Sequence, residues 1–88
     1  MSNSSVIARV KNTLANVRDK SMSAKDASRL IRGDTQAIEA LAYDQVKAID
    51  SLVMDLEIAH WNEGEDGFPD TDDVLQRIEK WLSTVPRT

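Results

Sequence analysis

TQAIEALAYDQVKAIDSLVMDLEIAHW, residues 35–61, decides how the chain is organised, because it contains neither glycine nor proline and repeats apolar residues at helical spacing. Ile38, Leu41, Ala42, Ile49, Leu52, Val53, Leu56 and Ala59 gather into one stripe. Met54, Ile58 and Trp61 follow one another at intervals of four and three on nearly the opposite side, with Tyr43 at a similar angle a few turns earlier. With Asp34 or Thr35 as its cap, the pattern predicts a single helix of 27 residues from Thr35 to Trp61. Such a helix is about 40 Å long, whereas a compact domain of this size is only about 30 Å across. It must therefore protrude, bend or be covered by another chain. Its two apolar faces have two readings: a central place in the bundle with helices on both sides, or a surface for a partner or a second copy.

Working outward, Val6, Ile7, Val10, Leu14 and Val17 predict an amphipathic helix over 5–20 with a basic outer face. Ser23 stands three residues before Asp26 and caps a short helix over 23–32, with Ala27, Leu30 and Ile31 turned inward and Gly33 ending it. On the other side, Asp70 or Thr71 opens a helix over 70–84 that carries Val74, Leu75, Ile78, Trp81, Leu82 and Val85 on one side and is closed by Pro86. No alternation of the strand type and no internal repeat is present. The expected fold class is all-α, a small four-helix bundle forming a single helical domain over 1–88.

The chain has 88 residues, 41% of them hydrophobic, enough to bury about 64% of its unfolded surface in one modest core. It has no cysteine, which excludes a disulfide framework, a thiolate zinc site and a thiol nucleophile. No apolar run approaches the roughly 18 residues of a membrane span, and the start MSNSS lacks the apolar core of a signal peptide. These features predict a cytoplasmic protein that does not engage a membrane.

Charge is unevenly divided. Residues 1–33 hold seven basic and two acidic residues, net +5, and residues 34–88 hold four basic and thirteen acidic ones, net −9. Either the halves neutralise each other on packing, or the acidic half faces a basic partner. The acids concentrate in EGEDGFPDTDD, residues 63–73, where Glu63, Glu65, Asp66, Asp70, Asp72 and Asp73 lie beside Trp61 and Phe68. One reading is a solvated loop whose last acids favour the positive end of the next helix. A calcium loop fits poorly: with Asn62 as its first position, Gly64 falls on a ligand position and Asp73 replaces the bidentate glutamate. The third reading is a partner surface on which clustered carboxylates steer a basic protein and the two aromatics anchor it.

Catalysis has little to work with. His60 is the only histidine, and neither a nucleophile elbow nor a phosphate-cradling glycine loop is present, so no enzyme activity, cofactor or metal is expected. Nucleic-acid binding is not expected either. Lys25, Arg29 and Arg32 precede a segment opening with Asp34, Glu39 and Asp44, which phosphates would repel.

The segment 55–81 resembles bacteriocin immunity proteins of the colicin and pyocin nuclease type. The matching residues are Asp55 and Leu56, His60 and Trp61 in place of two tyrosines, the acidic turn Glu63, Gly64, Glu65, Asp66 with Pro69, and Val74, Leu75, Ile78 and Trp81 in the last helix. Residues 1–54 depart from that pattern, since Lys25 to Arg32 is basic where the family has an acidic second helix. The resemblance implies a four-helix bundle that binds and blocks a cognate nuclease toxin, covering its basic nucleic-acid-binding surface with carboxylates. On this reading the partner-binding residues are Trp61, Glu63, Glu65, Asp66, Phe68, Asp70, Asp72 and Asp73. Tyr43, Met54 and Ile58 form a second candidate interface, whose alternative role is homodimerisation in a helical adaptor protein.

Overall fold

The computed structural model describes residues 3–62 and 70–86. Four helices follow one another: α1 (Asn3–Arg18), α2 (Ala24–Thr35), α3 (Tyr43–Trp61) and α4 (Thr71–Leu82). α1 and α3 each pack on both α2 and α4, which makes an up-down-up-down bundle of four neighbours. The core is the sum of the apolar stripes. Val6, Val10 and Leu14 of α1 meet Ala27 and Ile31 of α2, Val53 and Leu56 of α3, and Val74, Leu75 and Ile78 of α4, all essentially inaccessible to solvent.

The single long helix expected over 35–61 is instead two stretches. Gly33 does not end α2, which continues to Thr35, and neither Asp34 nor Thr35 caps α3, which begins at Tyr43. Three local bonds and one distant side chain make the break. Ala37 N–H and Ile38 N–H donate to the carbonyls of Asp34 and Thr35 in tight turns. Ala40 then takes a left-handed conformation, φ 64°. Gln45 Oε1 accepts from Ala42 N–H at 2.9 Å, which satisfies a backbone donor at the new helix start. The distant side chain is that of Asn3. Its carboxamide accepts from Glu39 N–H at 2.9 Å and donates to Glu39 O at 2.9 Å, taking up both backbone groups of Glu39 and so holding the connection out of a helix. The shortened α3 is about 28 Å long, which fits within the molecule's 39 Å long dimension.

Gly33 therefore sits inside a helix, exposed, with open space where a Cβ would stand. Glycine in a helix interior costs about 0.5–1 kcal/mol relative to alanine. Gly33→Ala should raise the melting temperature by about 3–6 °C in thermal unfolding; an unchanged or lowered value would contradict the placement. The N-terminus of α2 is as expected, with Ser23 Oγ accepting from Asp26 N–H at 3.1 Å. Leu30, expected inward, is 47% exposed, and Ser28 takes a buried place instead, its hydroxyl donating to Lys25 O at 2.7 Å.

Two poles result. At one, the start of α1, the α2–α3 connection, the start of α3 and the end of α4 are tied together. Asn3 also donates to Pro86 O at 3.0 Å, Gln45 Nε2 donates to Thr84 O at 3.0 Å, and Trp81 Nε1 donates to Gln45 O at 3.0 Å. At the other, the α1–α2 turn faces the end of α3 and the start of α4.

Candidate protein-binding surface

The second pole is built from chain reversals. After α1, Lys20 adopts φ 67°, and Ser21 N–H and Met22 N–H both donate to Asn16 O, which closes the helix end. Asp19 accepts hydrogen bonds from the hydroxyl and the N–H of Ser21, and these hold its carboxyl below the ordinary aspartate range. A cleft of about 450 Å³ opens beside this turn, with Arg18, Lys20 and Ser23 on one side and His60, Asp70 and Asp72 on the other. Asp70 is the N-cap residue of α4, and Asp72 and Asp73 stand in its first turn, where carboxylates favour the positive helix end. All three are exposed, and Asp73 pairs with Arg77 at 3.0 Å.

The unequal halves do neutralise each other in part. Arg18 of α1 meets Glu79 of α4 at 2.8 Å, and Arg9 lies 3.7 Å from Asp34. These pairs are solvent-exposed on at least one side and contribute at most about 1 kcal/mol each. They set Arg9 and Arg18 of α1 against carboxylates of the acidic half, while Asp70 and Asp72 stay exposed around the cleft.

Trp61 ends α3 at this pole and is 65% exposed. Its ring stands edge-on to His60, centroids 5.1 Å apart, and the Lys25 ammonium of α2 lies 5.3 Å from the ring centre. The other tryptophan behaves oppositely. Trp81 is buried and hydrogen-bonded, a part of the core.

The second stripe of α3 is uncovered. Because α3 occupies a corner of the bundle rather than its centre, α2 and α4 cover one face and leave Tyr43 72% and Met54 57% exposed, with Ile58 half-buried at the margin. Val46 joins them at 39%. Exposed apolar side chains recurring along one face of a helix make that face a candidate contact surface. Of the acidic tract, Glu63, Glu65, Asp66 and Phe68 lie outside the described residues, so the structure brings together Trp61, Asp70, Asp72 and Asp73 at one pole and Tyr43 and Met54 along the adjoining face.

Two features of this architecture escaped the periodicity. Asn3 and Gln45 organise the opposite pole through their side-chain amides, and neither belongs to an apolar stripe. Asn3 bonds groups 36 and 83 residues away in sequence, and no local signal announces such bonds. Among the described residues, no group of three or more His, Asp or Glu side chains is placed to hold a metal ion, and no helix is long and apolar enough to cross a membrane. No protein-family model, curated protein or solved structure matches the chain.

Proposed function

We propose that the chain is a non-catalytic inhibitor that works by binding a protein, an immunity-type protein that neutralises a nuclease toxin through its acidic pole. The observation that carries the reading is the solvent-exposed Trp61 at the same pole as the exposed carboxylates of Asp70, Asp72 and Asp73. Aromatic anchors dominate the affinity of protein interfaces, and carboxylates around them steer a basic partner and reject an acidic one. The resemblance of residues 55–81 to the nuclease immunity proteins names the class of partner, a protein whose nucleic-acid-binding surface is basic. Inhibition needs no chemistry in this arrangement: carboxylates occupy the surface on which phosphates would lie.

The test is to immobilise the protein, recover bound proteins from a lysate of its source at low and high salt, and assay the recovered partner for nucleolytic activity with and without stoichiometric inhibitor. A basic nuclease should be recovered, silenced at a 1:1 ratio, with an association rate that falls steeply once salt shortens the electrostatic reach to about 8 Å. The variant Asp72→Asn, Asp73→Asn, which removes two charges without placing cations at the start of α4, should associate several-fold more slowly, with circular dichroism reading its fold separately. Recovery of no nuclease, or a folded double variant that associates at the wild-type rate, would refute the proposal.

A further inference from the structure

The outward stripe of α3 contains a pattern that goes beyond inhibition. Tyr43, Lys47, Asp50, Met54, Glu57 and Trp61 follow one another at intervals of four, three, four, three and four, the spacing of a helix seam that meets another helix. Read from either end, the stripe is complementary to itself. If a second α3 is laid antiparallel with the two-fold axis at the level of Leu52, Tyr43 falls opposite Trp61, Lys47 opposite Glu57 and Asp50 opposite Met54. A two-fold interface repeats each pairing, so this register makes two Lys47–Glu57 ion pairs and two aromatic pairs at once. Neither Lys47 nor Glu57 joins an ion pair among the described residues of its own chain. The Lys47 ammonium lies 5.1 Å from the centre of the Tyr43 ring, which keeps its charge on the outward stripe.

We infer that the occupant of this face is a second copy of the same chain, docked antiparallel through α3 with Lys47 of each copy paired to Glu57 of the other. Charge selects the register and the direction. A parallel arrangement would set Lys47 against Lys47 and Glu57 against Glu57, and a shift by one turn would separate the opposite charges. Asp50 occupies the two central layers and weakens the contact, so the pair is a reversible, concentration-dependent dimer and not an obligate one. The surface includes Trp61, and so the dimer and the inhibitory complex exclude each other.

Sedimentation over a dilution series reaching hundreds of micromolar tests this directly. The wild type should pass from monomer to dimer. Lys47→Glu and Glu57→Lys each replace two attractive contacts by two repulsive ones and should weaken self-association by about 10- to 100-fold. The double variant Lys47→Glu, Glu57→Lys should dimerise again, as should an equimolar mixture of the two single variants. Asp50→Leu should tighten the dimer by about tenfold or more. A wild type that stays monomeric throughout, single variants that dimerise as well as wild type (the signature of a parallel pair), or a double variant that fails to recover would each overturn the inference. All substituted side chains are on the outer face, and circular dichroism separates loss of the dimer from loss of the fold.

Discussion

Asn3→Ala should lower the unfolding free energy by about 2–4 kcal/mol, because it removes a buried carboxamide and leaves peptide groups at one pole without their partners. The side chain is 1% exposed, donates to Glu39 O and Pro86 O, and accepts from Glu39 N–H. For a domain of this size the total stability is about 4–13 kcal/mol. The loss is therefore a sizeable fraction of the whole, and the melting temperature should fall by about 10–25 °C. Asn3→Asp should be at least as damaging: its carboxylate can still accept from Glu39 N–H but would face two carbonyl oxygens with no proton to give them. Denaturant titration of wild type and both variants measures the effect. A loss under about 1 kcal/mol for both would mean that the amide does not hold the pole together.

Trp61→Ala is expected to have the largest effect on partner binding with the smallest on folding. Its ring is mostly solvent-exposed, and its contact with the Lys25 ammonium contributes about 0.5–1 kcal/mol at an exposed site. If Trp61 is the aromatic anchor of the proposed inhibitory interface, it should be worth about 2–4 kcal/mol, a 30- to 1000-fold loss of affinity for the proposed nuclease partner. Trp81→Ala would show the reverse. Truncating that buried, hydrogen-bonded ring should cost about 3–5 kcal/mol of folding stability. Surface plasmon resonance against the captured partner, alongside thermal unfolding, separates the two tryptophans. Unchanged affinity in Trp61→Ala would remove the anchor from the inhibitory surface.

The parts of the fold that were legible are those decided by one helix and its stripe. Val74, Leu75, Ile78, Trp81 and Leu82 report one face of α4 unambiguously, and the structure buries all five. Ser23 announces the start of α2 because its cap bond is local. The break at 36–42 was not legible, because nothing within it forbids a helix: the bonds that win come from Asn3, 36 residues away in sequence. α2 runs on through Gly33 to Thr35, whose side chain is buried, and Leu30 is left outside because α2 presents Ala27 and Ile31 to the core. At the site, the angular position of Tyr43, Met54 and Trp61 opposite the main stripe was readable in advance. Whether neighbours cover that face depends on where α3 stands in the bundle, which periodicity does not encode. The proposed pairing of Lys47 with Glu57 of a second copy depends on α3 beginning at Tyr43 and turning this stripe outward, and periodicity encodes neither.

The bond between Asn3 and Pro86 also brings the first and last described stretches of the chain together. Residues 3–86 therefore nearly close into a ring, with Asn3 and Pro86 at the pole that α3 separates by about 28 Å from Trp61. A fluorophore, affinity handle or neighbouring domain joined at either end therefore leaves the acidic pole unobstructed. In the antiparallel pair the consequence differs. The two copies send such attachments out in opposite directions, so a tethered cargo is held apart in the dimer, and fusing two copies end to end requires a linker long enough to run the full length of α3.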